Sequence, residues 1–183
     1  MRITGGVYRG SIIRAPKSLK VRATTDFTKE ALFNILTNSY NFQELEVLDL
    51  FAGIGSITYE FASRGTKKIV SVELNQLHYN FIKRELRRFK FNMVELIRRD
   101  ALEYIANCSS RFHIIFADPP YNAPFIEQLP ALILDRGLLQ EEGLFILEHS
   151  SRHNFSSHPQ IVKERRYGDS YLSFFINKER KNL

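Results

Sequence analysis

From Glu46 to Leu147 short apolar runs alternate with segments of helical periodicity, and that alternation constrains the fold more than any other feature. Val47–Leu50, Lys68–Glu73, Met93–Ile97, His113–Ala117 and Leu144–Leu147 have the length and side-chain content of buried strands. Between them Ser56–Arg64, Gln76–Phe91, Ala101–Asn107 and Pro124–Arg136 carry apolar residues at helical spacing, the last followed by Gly137 as a stop. Strands separated by single helices predict an α/β fold built on a doubly wound, mostly parallel sheet. Two further runs, Ile161–Arg166 and Tyr171–Ile176, are joined by Tyr167-Gly168-Asp169-Ser170. That link is too short for a crossover helix, so the pair is expected to be antiparallel.

Ahead of this core, Arg2–Thr4 and Val7–Ile13 predict a β-hairpin turned through Gly5-Gly6. Thr24, Thr25 and Asp26 are N-cap candidates for a helix reaching about Asn38. A chain of 183 residues is expected to fold as one domain, with residues 1–25 as a basic hairpin extension and 26–183 as the core.

Charge is distributed unevenly. Residues 1–30 carry seven Lys/Arg against two Asp/Glu, and residues 151–183 carry seven against three, whereas 31–150 hold twelve against fifteen. Basic ends around an acidic middle suggest a polyanion gripped by the flanks, with Arg2, Arg9, Arg14, Lys17 and Arg22 as candidate contacts. The run Lys83-Arg84, Arg87-Arg88 and Lys90 shares a helix with Phe81, Ile82, Leu86 and Phe89 and is assigned to a solvated face. Cys108 has no cysteine to pair with, no run approaches the ~20 apolar residues of a membrane span, and the opening lacks a signal-peptide core. A soluble cytoplasmic protein, with no membrane partner, is expected. His78, His113, His149, His153 and His158 lack metal-ligand spacing with one another or with Cys108, so no metal is expected.

Two motifs carry chemistry. Asp49-Leu50-Phe51-Ala52-Gly53-Ile54-Gly55 leaves a strand and enters a helix, and Gly53 and Gly55 let backbone approach a ligand. A dinucleotide fingerprint would need a third glycine where Thr58 stands, and Asp49 would repel a pyrophosphate. An acid there suits a cofactor bearing an amine and a sulfonium, which favours S-adenosylmethionine over NAD. Glu73, about 20 residues beyond the glycines, is placed to accept from two ribose hydroxyls, with Leu74 against an adenine and Asp100-Ala101 near its amine. The second motif is Asp118-Pro119-Pro120-Tyr121, at the end of the fourth strand. The prolines exclude helix and central strand, leaving a carboxylate, free carbonyls and a flat ring. That set suits a planar base with an exocyclic amine, whose hydrogens the oxygens accept while the ring stacks.

These motifs, in the order Asp49-Leu-Phe-Ala-Gly-x-Gly, Glu73, Asp100 and Asp118-Pro-Pro-Tyr, resemble class I S-adenosylmethionine-dependent methyltransferases that act on exocyclic amines. With Met1-Arg-Ile-x-Gly-Gly-x-x-Arg-Gly, Arg22-x-Thr24-x-Asp26-x-x-Lys29-Glu30-Ala31-Leu32-Phe33-Asn34, Ser63-Arg64-Gly65 and Tyr167-Gly168-Asp169, the chain is similar throughout to the RsmD family, bacterial methyltransferases of a guanine N2 in 16S ribosomal RNA. The resemblance implies a Rossmann-like sheet with S-adenosylmethionine as cofactor. It makes Asp49, Phe51, Gly53, Gly55, Glu73, Leu74, Asp100 and Ala101 the cofactor site and Asp118, Pro119, Pro120 and Tyr121 the catalytic mouth. Ribosomal RNA or an assembling small subunit is the implied partner, met by a monomer. The chain departs from the family at Ala23 after Arg22, at Phe27 and Lys29 in place of arginines, and at Ser56 after the glycine turn. These departures leave the cofactor site readable and the details of RNA grip open, and Phe27 is given a structural role with no ligand. Three alternatives stand beside this reading: a DNA adenine-N6 methyltransferase, which ordinarily carries a larger sequence-reading domain; a non-catalytic RNA-binding or assembly module retaining the pocket; and, weakest, a nicotinamide oxidoreductase.

Overall fold

The computed structural model describes residues 1–16, 19 and 25–177. The chain divides into two compact units, Met1–Ala101 and Leu102–Leu183.

In the first unit three parallel strands, β1 (Glu46–Leu50), β2 (Lys68–Val72) and β3 (Val94–Ile97), lie in the order β3-β2-β1. After their first residues β1 and β2 are buried throughout, as central parallel strands are, whereas β3 is partly exposed and carries Glu95 outward. Register pairs Leu50 with Val72 and Val72 with Ile97, so the three strands end level and Phe51, Glu73 and Arg98 leave from one edge. Helix α1 (Asp26–Ser39) is capped by Thr25, whose side chain accepts the Thr28 N–H, and buries Leu32, Phe33 and Leu36. Helix α2 (Ser56–Ser63) is buried along its whole length. Helix α3 (Gln76–Arg88) is capped by Asn75, which accepts from the N–H groups of Leu77 and His78. It stops before the expected Phe91 because Lys90 adopts φ 55°, which turns Phe89 and Phe91 into the core. The basic residues of α3 are exposed, and Arg84 and Arg88 both bridge the buried Glu85.

The N-terminal segment is a correction. The expected pair of strands reduces to a single antiparallel bridge, Arg2 to Ile12, flanked by bonds from Ile3 N–H to the Ser11 carbonyl and from Ile13 N–H to that of Met1. Gly5-Gly6 does not make a two-residue turn. It lies against the end of α2, where the Ser63 hydroxyl donates to the Gly5 carbonyl at 2.6 Å and the Ser63 carbonyl accepts the Val7 N–H at 2.8 Å. A Cβ on Gly6 would sit 1.9 Å from that Ser63 carbonyl oxygen, so the glycine permits close backbone approach. Tyr8 then packs edge-on against Phe89 and Phe91 and donates its hydroxyl to the Phe89 carbonyl.

Helix α4 starts at the last residue of the first unit, and its bounds, Ala101–Asn107, coincide with the sequence reading. Strands β4 (Phe112–Ala117), β5 (Leu139–Ser150), β6 (Ile161–Tyr167) and β7 (Ser170–Ile176) follow, in the order β4-β5-β7-β6. β4 and β5 are parallel, and β7 runs antiparallel to both β5 and β6, as the short Gly168 link requires. The helix expected over Pro124–Arg136 is shorter: a 3-10 turn at Ile126–Gln128 leads into α5 (Leu129–Leu134), with Pro130 in the opening turn where its missing N–H costs nothing. β5 extends well beyond Leu144–Leu147. Its last three residues, Glu148, His149 and Ser150, pair with β7 past the final β4 partner, Ala117 to Leu147. Seven strands, mostly parallel with an antiparallel C-terminal pair, confirm the expected α/β class. Among the described residues no helix is long and apolar enough to cross a membrane.

Candidate active site

At the carboxyl edge of the first unit, Asp49 is 2% exposed and paired in register with Ser71. Its Oδ2 accepts from the Thr58 hydroxyl at 2.5 Å, and Thr58 Oγ1 lies 2.9 Å from Ser71 Oγ. Thr58 therefore has a positive role where the dinucleotide pattern places glycine, one that spacing alone could not show. Burial pushes the Asp49 carboxyl up to about 7; the Thr58 hydrogen bond opposes the shift and the Glu73 charge adds to it.

The turn after β1 requires three left-handed residues, Phe51 (φ 61°), Gly53 (φ 58°) and Gly55 (φ 83°). A Cβ on Gly55 would stand 2.6 Å from the Tyr59 ring, so glycine is also required by space. Glu73 fixes this turn: one oxygen accepts the Gly53 N–H and the other the Asn75 N–H, each at 2.7 Å. A carboxylate has further lone pairs for a ligand's hydroxyls. Leu74, beside it, is 60% exposed, Asp100 is half-buried, and Ala101 is buried. Among the described residues two buried side-chain polar atoms lack a hydrogen-bond partner, Ser56 Oγ and the Tyr59 hydroxyl, and both belong to the first turn of α2. Orphaned polar atoms, an acid whose pKa burial raises, and an exposed leucine fit a ligand with an apolar plane, vicinal hydroxyls and a cationic group.

In the second unit Asp118 and Pro119 follow directly on β4, with Asp118 half-buried and Pro119 buried. Pro120 is exposed, and its carbonyl accepts the Ala123 N–H at 2.8 Å. The Tyr121 hydroxyl lies 2.7 Å from Ser170 Oγ and 3.5 Å from the buried Glu148 Oε1, so residues of β5 and β7 hold a half-buried ring by its far end. Arg152 donates to Asn122 and His153 lies against Glu127, which ties down the loop beyond. The polar tail of β5 thus supports this mouth, a purpose invisible in the alternation pattern. His149, buried on the same tail, has its pKa lowered by burial, against the Ser150 carbonyl and Glu164, which favour its charged form.

The basic N-terminal residues divide. Arg2 faces Asp26 at 3.7 Å and Glu30 at 3.3 Å. Arg9 and Arg14 are exposed and have no ion-pair partner among the described residues. Lys17 and Arg22 lie outside the described residues. Lys29, one of the departures from the family pattern, is 1% exposed, and its ammonium donates to the Arg2 carbonyl at 2.6 Å, with Asp26 at 3.1 Å and Glu60 at 3.3 Å. Glu60, fully buried, also accepts from the Thr4 N–H, the Thr4 hydroxyl and Arg64. The hairpin is thereby clasped to α1 and α2 by buried charge. Burial raises the Asp26 carboxyl, but the bond and charge of Lys29, with Arg2, outweigh it and leave it below its ordinary value. Phe27, expected to be structural, is 70% exposed.

The family described as conserved hypothetical protein 95 matches residues 1–176. The chain is 33% identical over 152 residues to ribosomal RNA small subunit methyltransferase D of Haemophilus influenzae, covering 81% of this chain and 78% of that protein. The protein of the same name from Escherichia coli K12 is 30% identical over 148 residues, 81% and 74% of the two chains. Among solved structures, yhhF from Escherichia coli superimposes with a TM-score of 0.85 at 25% identity over 98% of this chain and 99% of that one. A hypothetical protein from a Thermus species gives 0.83 at 26% identity over 96% and 98%. A family match that spans both the clasped hairpin and the two strand-end motifs makes this chain a member of the RsmD family of methyltransferases.

Proposed function

We propose that this protein transfers a methyl group from S-adenosylmethionine to the exocyclic N2 amine of a guanine in small-subunit ribosomal RNA, acting as a monomer in the cytoplasm. The observation that carries the reading is Asp118-Pro119-Pro120-Tyr121 at the end of β4, with its tyrosine held by Ser170. The relatives' names, ribosomal RNA small subunit methyltransferase D, support the acceptor class.

The donor, when bound, supplies an electrophilic methyl on a sulfonium. Glu73 would accept its ribose hydroxyls, Leu74 would lie against its adenine, and Asp100 with Ala101 would meet the adenine amine. Gly53 and Gly55 let backbone approach, Phe51 shapes the turn, and Asp49 offers negative charge to a cationic tail. On the acceptor side, a guanine N2 lone pair is delocalised into the ring, and no ordinary side chain deprotonates it beforehand. Activation is therefore geometric: Asp118 and the Pro119 carbonyl accept the two amine hydrogens, freeing the lone pair for in-line attack. Asp118 then stands by the nitrogen as it sheds its proton. Pro120 keeps the mouth extended and Tyr121 stacks on the base, a contact worth about 1–3 kcal/mol. Unstacking the nucleotide costs a few kcal/mol, which phosphate contacts from Arg2, Arg9, Arg14, Lys17 and Arg22 would offset.

The test is methyl incorporation from labelled S-adenosylmethionine into small-subunit ribosomal RNA, followed by digestion to nucleosides. Wild type should yield N2-methylguanosine. Asp118→Ala should lose roughly 100- to 1,000-fold in transfer while binding the donor as before. Equal incorporation by the variant would remove Asp118 from the chemistry, and N6-methyladenosine as product would overturn the acceptor.

A further inference from the structure

We propose that the groove between the N-terminal hairpin and α1 seats an unpaired stretch of the RNA substrate, a subsite that rests on the RNA reading above. The groove, open to solvent and about 690 Å³ in volume, has Gly5, Gly6 and Arg9 on one side and Glu30, Asn34 and Thr37 of α1 on the other. Glu30, Asn34 and Thr37 recur at helical spacing, and Phe27, which does not line the groove itself, lies one turn before Glu30 and extends their stripe to about 15 Å, enough for a few nucleotides.

The chemistry along the stripe suits single-stranded nucleic acid. Phe27 exposes 70% of its surface one turn before Glu30, and an exposed ring is a platform for an unstacked base. Asn34 presents a donor and an acceptor to base edges, and Thr37, whose hydroxyl donates to the Phe33 carbonyl at 2.7 Å, keeps a lone pair for one. Two fixed charges are already answered: Glu30 by Arg2, and Arg64, whose guanidinium lies 4.1 Å over the Phe33 ring, by Glu60. That leaves Arg9 as the charge of the groove without an ion-pair partner among the described residues. Among the described residues the N–H groups of Gly5 and Gly6 meet no acceptor, so two backbone donors stand beside that arginine, a set that suits a phosphate. Residues 1–30 carry seven Lys/Arg against two Asp/Glu, and this favours a polyanion over a peptide of ordinary charge.

The experiment measures fluorescence anisotropy of a labelled single-stranded oligoribonucleotide, the same strand annealed to its complement, and an acidic peptide. Wild type should prefer the single strand. Phe27→Ala should weaken that binding about tenfold, and Thr37→Trp, which fills the groove, at least as much. Both should keep the thermal shift induced by S-adenosylmethionine, which certifies folding. Equal affinity for single strand and duplex, wild-type affinity in the Phe27→Ala protein, or tighter capture of the peptide would overturn the subsite. If the wild type methylates ribosomal RNA and the variants bind as it does, only the groove falls. If it transfers no methyl to that RNA yet shows the expected variant pattern, the groove stands and the acceptor reading falls.

Discussion

Asp49 and Glu60 are both buried carboxylates of the first unit, and their surroundings differ completely. Glu60 is ringed by Lys29, Arg64 and two donors of Thr4, so its charge is met inside the protein. Asp49 has no cation beside it: burial raises its pKa to about 7, the like-charged Glu73 adds a little, and the neutral Thr58 only partly offsets the shift. A carboxylate matched by cations holds structure together. On the proposed reading, one left without a cation at a strand's carboxyl edge is held ready for a ligand that brings one.

The largest effect should come from removing the buried one of the two cations at the satisfied site. Lys29→Ala leaves the buried Glu60 with Arg64 alone and Asp26 with only the exposed Arg2, and should cost about 3–5 kcal/mol in denaturant unfolding. A cost near zero would mean that the clasp is ornamental and that the contrast with Asp49 fails. Next is Asp49→Asn, read as a slope rather than an offset. Because the folded pKa of Asp49 is raised from 3.8 to about 7, the folded state keeps a proton that the unfolded state has lost in that interval. Stability should therefore fall as pH rises from about 4 to about 7, on the order of a few kcal/mol, and level off above. Asp49→Asn should abolish that part of the slope and be the more stable protein at pH 8. Thr58→Val is the smallest and sharpest, about 1–2 kcal/mol. Its cost should be larger at pH 8, where Asp49 is ionised, than at pH 5, as paired thermal melts would show.

The same contrast explains what could be read from the sequence. Helix α4 and the β6–β7 pair follow from local apolar periodicity and a four-residue link, and Asp49, Glu73 and Asp118 from their place at strand ends. Lys29 and Glu60 were not legible, because a charge buried by partners distant in sequence leaves no period behind it. Gly5-Gly6 carried a turn signal but serves close approach to Ser63. The polar tail of β5, Glu148 to Ser150, breaks the apolar run that marks a strand, although β7 pairs it and Tyr121 and Ser173 reach its side chains. Thr58 showed only what it was not, and its partnership with Asp49 needed α2 and β1 together.

The most direct test is the affinity of S-adenosylmethionine across pH 5.5 to 8.5 for wild type and Asp49→Asn, by calorimetry. If the cationic donor answers the buried charge, binding lowers the Asp49 pKa. Wild-type affinity should then rise with pH, by up to about tenfold per unit, and flatten above about 7, while the variant shows no such rise. Parallel pH profiles for the two proteins would contradict the assignment of Asp49 as the acid kept for the donor.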